Sequence, residues 1–446
     1  MKFSRYNLFI PIERTEDKVI LFNTLHGETF IIDKKVKNII EKGEVEKLDS
    51  DTIKIYKEKN ILIDDNVDEL KYFEYYHNKL KFTSDILHVT VLLTWECNLK
   101  CVYCYEGAGE IKNNRMTPDT LNNVIDFIKS QAEHRKVKSI HLNLFGGEPL
   151  INFDAGKKLL EEINKFCEET GKKLYSGIIT NGTLINDEII DILKNYNCQT
   201  IQITLDGTKE IHDNRRMFKG GQGSFDIIIK NLQKISQRND IVKPLIRINI
   251  DKTNIDNVYE LLDLLKEYGL TSCRIDFGIV RGETKACSSY SGYCFSEEDL
   301  GDILDELWKA AEERGFRMYL KPAKKWIYCG LYSDSAFSIA PTGDLYKCWE
   351  QVGEEEHKIA VIGEKGETQD ISFTYYNWMA RNPLNTPECR GCIYLPACGG
   401  GCGAISYNHY STYDAPGCFK VKGVIEKQIL KYFKGKLDYI CNKKNA

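Results

Sequence analysis

Cys97-Asn98-Leu99-Lys100-Cys101-Val102-Tyr103-Cys104 sets three cysteines within eight residues, directly after an apolar run over 86–94 that reads as a buried strand. Three thiolates on one loop can reach three corners of an iron–sulfur cube, leaving the fourth iron without a protein ligand. The natural occupant of that iron is a small chelating molecule. The rival is a zinc knuckle or a set of buried thiols. Zinc sites pair two C-x-x-C knuckles or add histidines, and no His lies inside or beside this loop.

Outward from the loop, strand-like and helix-like segments alternate from 86 to 315. Strands are expected over 86–94, 139–145, 174–180, 200–205, 243–250 and 273–280. Helices are expected over 118–131, 153–170, 187–195, 224–238, 255–268 and 297–314. Thr117 before Pro118 marks a helix start, and Ser296 with Asp299 has the form of a capping box. Six βα units imply an α/β fold with a parallel sheet wound right-handed, and six rather than eight suggests an open barrel. Chemistry in such sheets lies at the C-terminal strand ends. Cys97 follows the first strand there, Gly146-Gly147-Glu148-Pro149 the second, Thr180-Asn181-Gly182 the third and Thr204-Leu205-Asp206-Gly207 the fourth. A glycine pair permits close backbone approach, and Glu148 can accept hydrogen bonds from an ammonium.

A length of 446 residues suggests two to three domains. A net charge of −4 gives no argument for nucleic acid or an anionic membrane as partner. No apolar run approaches the ~20 residues of a membrane span, and Met1-Lys2-Phe3-Ser4-Arg5 lacks a signal-peptide core. The expected location is cytoplasmic, where sixteen cysteines serve metal or redox chemistry better than disulfides.

The pattern C-x-x-x-C-x-aromatic-C, here Cys97, Cys101, Tyr103 and Cys104, resembles the radical S-adenosylmethionine (SAM) superfamily. The resemblance implies a partial (β/α)6 barrel whose open iron binds the amino and carboxylate groups of SAM. An electron from the cluster then splits SAM into a 5'-deoxyadenosyl radical that takes hydrogen from the substrate. It also implies that the G-G-E-P run contacts the SAM amino group. Tyr103, Gly146, Gly147, Glu148, Pro149, Thr180 and Asn181 are the candidate cofactor-binding residues. The stretch from Leu205 to Arg216 is similar to the peptide- and sulfatase-maturing branch, where an Asp and an Arg sit near SAM or substrate. Asp206 and Arg215 are the corresponding candidates, with a solvated strand-end ion pair as the alternative. His212 and Asp213 read as a helix-start detail.

In the last third, Cys329 is followed by Gly343 and Cys348, then by Cys389, Cys392, Cys398 and Cys402, and finally by Cys418. The order and spacing resemble the SPASM domain, named for subtilosin, pyrroloquinoline quinone, anaerobic sulfatase and mycofactocin maturases. The alternative is a zinc ribbon plus unrelated thiols. The resemblance implies two auxiliary clusters, so three 4Fe-4S clusters in all. Cys389, Cys392, Cys398 and Cys418 would hold auxiliary cluster II, and Cys329, Cys348 and Cys402 auxiliary cluster I. Gly399-Gly400-Gly401 lets the backbone wrap a cluster closely. Relatives often take a fourth ligand just after the first cysteine, and no cysteine stands there. Cluster I is therefore expected to keep an open iron for a substrate thiolate, unless Cys287 or Cys294 completes it. Cys167, Cys198, Cys273 and Cys441 read as buried apolar groups.

The first 85 residues read as strands over 6–11, 19–24, 28–32 and 61–63 with helices over 33–41, 48–57 and 66–80, a winged-helix-like unit. Asp49 or Ser50 would cap the second helix. The element order resembles the peptide-recognition domain fused to peptide-modifying radical enzymes, where a leader peptide adds a strand to a sheet edge. A structural cap is the alternative. The expected units are 1–85 for peptide recognition, 86–315 for the barrel, 316–425 for the SPASM domain and 426–446 for a helix and tail.

Taken together, the resemblances imply a maturase of the sactipeptide and ranthipeptide kind. It would form thioether links between Cys sulfur and a carbon of another residue in a ribosomally synthesised precursor peptide carrying a leader. A flavodoxin or ferredoxin would donate electrons. The alternatives are a carbon–carbon or carbon–oxygen crosslink, an anaerobic sulfatase maturase, and a non-catalytic iron–sulfur peptide-binding partner.

Overall fold

The computed structural model describes the whole chain except residues 14, 108–111, 319, 321–323, 436 and 438–446. Cys441, expected as a buried thiol, and most of the expected tail lie outside the described residues. Six parallel strands form the frame: Ile86–Leu92, Ser139–Phe145, Lys173–Thr180, Cys198–Thr204, Leu245–Ile250 and Arg274–Ile279. Each pairs with the next in chain order. Leu87, Val89 and Val91 join Val124, Phe127 and Ile128 of helix Pro118–His134 in the core. The alternate residues His88 and Thr90 line an interior cavity. Thr117 caps that helix by accepting the Thr120 N–H, with Pro118 in its first turn. Helix Leu300–Glu313 begins later than the expected 297. The Ser296 hydroxyl instead bonds the Asp299 carboxylate at 2.6 Å, and Asp299 caps no backbone N–H.

The barrel stays open. Arg274–Ile279 is an edge strand, while the free side of Ile86–Leu92 takes Ala336–Ile339 in parallel. Asp344–Tyr346, Ala360–Ile362 and Thr368–Gln369 continue antiparallel, so the last third extends the barrel sheet to ten strands.

The N-terminal unit holds an antiparallel sheet of Asn7–Pro11, Lys18–Asn23 and Thr29–Asp33, with helices Lys34–Lys42, Ser50–Glu58 and Glu69–Phe82. Asp49 caps the second helix through the Thr52 N–H. A strand not expected, Lys2–Phe3, pairs with Leu62–Ile63. One sheet face, with Val19, Leu21 and Ile32, packs on Ile40 and Tyr56 of the unit's own helices. The other, with Leu8, Ile10, Ile20 and Phe22, packs on Val421, Ile425 and Ile429 near the C-terminus. Among the described residues, no helix is long and apolar enough to cross a membrane.

Candidate functional site

The cysteine loop is fixed from two sides. Leu99–Cys101 pairs antiparallel with Arg216–Phe218. The G-G-E-P turn closes on the approach to Cys97, with Gly147 N–H on Thr94 O at 3.0 Å and Glu148 N–H on Glu96 O at 2.8 Å. A Cβ at Gly146 would stand 2.2 Å from Thr94 O, and one at Gly147 2.5 Å from Glu96 O. The glycines are therefore required by this backbone crossing.

Neither Glu148 nor Pro149 lines the central cavity. Because the turn folds back on residues 94–96, the Glu148 carboxylate is fully buried and already accepts from Leu150 N–H (3.0 Å), Thr180 Oγ1 (2.7 Å) and Asn181 N–H (2.7 Å). Pro149 begins the short turn Pro149–Asn152 that Glu148 caps. Their contribution is to place Thr180 and Asn181, which do line the cavity with Tyr103, Gly146 and Gly147.

That cavity, of about 360 Å³, contains Cys97, Cys101 and Cys104. The Cys97 sulfur accepts from Leu99 N–H at 3.4 Å and Asn181 Nδ2 at 3.9 Å. Burial, with Cys101, Glu148 and Cys104 nearby, pushes its thiol up to about 12 against the Leu99 N–H. Burial pushes Cys101 up as well, opposed by Arg216. Thiols buried this deeply ionise only with a cation beside them, which a bound iron would supply.

Tyr103 is the hub of the opposite wall. Its hydroxyl bonds the Asp206 carboxylate and accepts from Arg216 Nη1 at 2.7 Å and Asn249 Nδ2 at 3.1 Å. Asp206 is fully buried behind it, accepting the Asn249 N–H at 2.9 Å. His212 Nδ1 takes the Asp206 N–H, and Asp213 accepts from Ser224 N–H and Phe225 N–H to start the next helix, so both are supporting groups. Arg215 bonds Asp251 at 2.8 and 3.1 Å, stands 3.7 Å from the Asp206 carboxylate and 5.0 Å over the Tyr103 ring, and does not itself line the cavity. The cations at the wall are Arg216 and Arg247, the latter tied to Asp276; sequence reasoning missed both, along with Asn249 and Trp349. The Arg216 Nε is buried with no hydrogen-bond partner. A buried guanidinium with a donor to spare, beside glycine backbone and three thiols, fits a bound amino-acid carboxylate.

Mutual electrostatics sort the remaining cysteines. Burial, Glu350, Cys402 and Cys329 raise the Cys348 thiol. Burial, then Cys418 and Cys392, push Cys389 up to about 11, and burial with Cys418 and Cys389 pushes Cys398 up to about 12. The groups are thus Cys329, Cys348 and Cys402, and Cys389, Cys392, Cys398 and Cys418. Among the described residues no three His, Cys, Asp or Glu side chains converge as a single-ion site would require. A cube spaces its ligands at separate corners and needs no such convergence. No described cysteine is joined in a disulfide. Cys167, Cys198 and Cys273 lie in the core. Cys287 stays in its own loop, 3.1 Å from Thr284 Oγ1, and Cys294 donates to Tyr290 O at 3.7 Å. Cys329 lines a second cavity of about 660 Å³ with His88, His141 and Tyr175, and Trp349 lines both cavities.

Residues 91–246 match the family model described as the Radical SAM superfamily. Radical SAM cyclopropyl synthase TigE of Paramaledivibacter caminithermalis is 23% identical over 475 aligned residues, covering 94% of this chain and 96% of TigE. The structure of native anSMEcpe with bound AdoMet superposes with a TM-score of 0.59 at 17% identity, over 80% of this chain and 99% of that one. Streptococcus suis SuiB bound to precursor peptide SuiA superposes with a TM-score of 0.55 at 18% identity, over 95% and 99%. The chain carries a radical SAM domain and has the fold of these enzymes. It is similar to radical SAM enzymes that act on peptides and sulfatases, among them the cysteine-type anaerobic sulfatase-maturating enzyme of Clostridium novyi, 26% identical over 75% of this chain and 93% of that one. That class implies a 4Fe-4S cluster and SAM, and the thiols, Arg216 and the glycine backbone fit both.

Proposed function

We propose that the chain forms thioether links between a cysteine sulfur and a carbon of another residue in a ribosomally made precursor peptide. The observation that carries this reading is the three-thiol group Cys329, Cys348 and Cys402. The turn Gly330–Tyr332 brings no fourth cysteine, and Cys287 and Cys294 bond within their own loop. An iron cluster held by three thiolates keeps a position for a substrate thiolate and favours its deprotonation. Cys97, Cys101 and Cys104 would hold the SAM-binding cluster, and Cys389, Cys392, Cys398 and Cys418 the second auxiliary cluster.

Bound SAM and its cluster supply the radical that removes hydrogen from the peptide carbon. The chain supplies position. Arg216 and Asn181 would hold the SAM carboxylate, Asp206 and Arg215 hold Tyr103 in place, and Cys329 would present the sulfur from the adjoining cavity. Holding both partners converts bond formation into an intramolecular step of high effective molarity. Joining S–H to C–H releases one hydrogen to 5'-deoxyadenosine, one proton, and one electron to the auxiliary clusters. A flavodoxin or ferredoxin provides the electron for SAM cleavage in the cytoplasm.

The N-terminal unit, 1–85, binds the leader along the edge of Thr29–Asp33, which among the described residues pairs with Lys18–Asn23 alone. The barrel takes 86–315, the SPASM domain 316–425, and the helix and tail 426–446. A second reading, carbon–carbon bond formation, is favoured by the similarity to the cyclopropyl synthase along almost the whole chain. The test is a mass and free-thiol count on the cysteine-containing peptide encoded beside the gene, coexpressed with the enzyme. Loss of two hydrogens and one alkylatable thiol per event, stable to reductant, is expected. Loss of hydrogens with every thiol free would overturn the thioether reading in favour of the second.

A further inference from the structure

Tyr105, Glu106 and Glu350 line both the thiol cavity and an adjoining space of about 230 Å³. This vestibule is walled by the loop after the last barrel strand, the segment after Cys348, and helix Gly403–Tyr410. Glu106, Glu283, Glu350, Glu354 and Glu356 line it, and among the described residues no Lys or Arg does. The cations that reach it are few. Arg281, from behind the wall, bridges Glu350 and stands 3.4 Å from Glu283, and Lys112 acts on Glu106. His409 lies 3.7 Å from Glu283, and His357 3.7 Å from Glu356. Burial pushes Glu106 up to about 7, so at neutral pH it carries only part of a charge; the other four carboxylates outnumber Arg281, the arginine that bridges Glu350. They do not converge as a metal site would.

A second observation is independent of the charge. Gln351 lines the same space, is 5% exposed, and makes no well-formed hydrogen bond on either Oε1 or Nε2, the Tyr413 hydroxyl being its polar neighbour. Leaving both ends of a buried amide unpaired costs free energy that a ligand would recover. An amide side chain offering one donor and one acceptor is the complement of a peptide group.

We propose that this vestibule holds a basic residue of the substrate peptide, Lys or Arg, next to the residue that loses hydrogen, with Gln351 pairing that segment's backbone. The proposal rests on the peptide-maturase reading above and adds the chemistry by which the core peptide is chosen. A cationic side chain entering beside the thiol cavity gains charge-assisted bonds to carboxylates in a partly desolvated space, where such bonds are strongest.

The test uses three labelled synthetic peptides identical except for Lys, norleucine or Glu beside a single cysteine. Each is titrated by fluorescence anisotropy into the anaerobic, cluster-loaded, SAM-bound full chain. The Lys peptide is expected to bind roughly tenfold or more tighter than the Glu peptide, with norleucine between, and added salt to narrow the gap. Glu354→Gln with Glu356→Gln should shrink the Lys preference, and Gln351→Leu should weaken all three alike. Equal affinity for the three peptides, or binding of none, overturns the proposal. Cluster absorbance reports whether each variant is folded, and should one fail to load, the three-peptide comparison on the natural chain decides. Mass spectrometry on the same samples separates the two readings. A crosslink formed without Lys preference sinks only the vestibule, and Lys preference without any crosslink sinks only the thioether.

Discussion

Arg215 and Arg216 are consecutive and chemically identical, yet they do opposite work. The chain passes from helix Lys209–Arg215 into strand Arg216–Phe218 between them, and the two guanidinium groups meet Tyr103 differently, Arg215 over its ring and Arg216 on its hydroxyl. Arg215 neutralises the fully buried Asp251. Both arginines leave Nε without a hydrogen-bond partner, and of the two it is Arg216 that lines the cavity. Arg215→Leu should therefore act on stability, costing about 3–5 kcal/mol by stranding a buried carboxylate, read as a lower Tm. Arg216→Leu should act on the cofactor, weakening SAM affinity roughly tenfold or more in equilibrium dialysis, the size of a lost charge-assisted bond. Equal SAM affinity in Arg216→Leu and the natural chain would refute the assignment. The sequence motif from Leu205 to Arg216 pointed to the right stretch. It could not choose between the arginines, because the choice depends on where a helical period gives way to a strand period.

Elements with strong local signals were readable from sequence. The six barrel strands, the Thr117–Pro118 start and the Asp49 cap each depend on neighbours within a few residues. The elements that were missed are short and owe their existence to distant partners. Lys2–Phe3 pairs with Leu62–Ile63, Leu99–Cys101 with Arg216–Phe218, and Ala336–Ile339 with the first barrel strand. Strand preference in two to four residues is set by such context, not by the residues themselves. The Gly-rich run after Cys398 shows the same dependence. Gly401 bridges Gly417, Cys402 N–H bonds Gly417 O at 2.7 Å, and a Cβ on Gly417 would fall 1.9 Å from Cys402 O. This crossing joins Cys402 of the three-thiol group to Cys418 of the four-thiol group. Gly417→Ala should disturb both at once, removing about two-thirds of the iron if each thiol group holds one 4Fe-4S cluster. The SAM-cleaving cluster should keep its electron paramagnetic resonance signal. Unchanged iron per chain would count against the shared crossing.

At the level of the whole molecule, the N-terminal unit is a built-in part rather than an appendage. Its helix Glu69–Phe82 carries His77, whose Nδ1 lies 2.7 Å from Trp326 O across the seam. Burial pushes His77 down to about 4. Once undocked or unfolded, the imidazole takes a proton near its usual 6.5, while the docked form refuses it until about 4. Docking should therefore weaken as pH falls from 6.5 to 4, by up to about 3 kcal/mol, and be unaffected above that window. His77→Asn should flatten this part of the pH–stability curve, measured as Tm against pH beside the natural chain. The apolar seam makes a stronger demand. Leu8, Ile10, Ile20 and Phe22 share one cluster with Cys398, Val421, Ile425 and Ile429, and Tyr6, Leu25 and Phe73 pack with Leu395 and Cys389. Two of the four thiols proposed for auxiliary cluster II thus sit in contact with the first 85 residues. Deleting those residues should expose this surface, raise binding of a hydrophobic dye, and lower iron by about one cluster of the three. A detachable recognition module predicts the opposite, full iron content and loss of peptide affinity alone. Iron per chain in the truncated protein, set beside Mössbauer spectra of both forms, tells the two apart: full iron would mean that the unit only recognises peptide, and a missing cluster that it also walls the metal site.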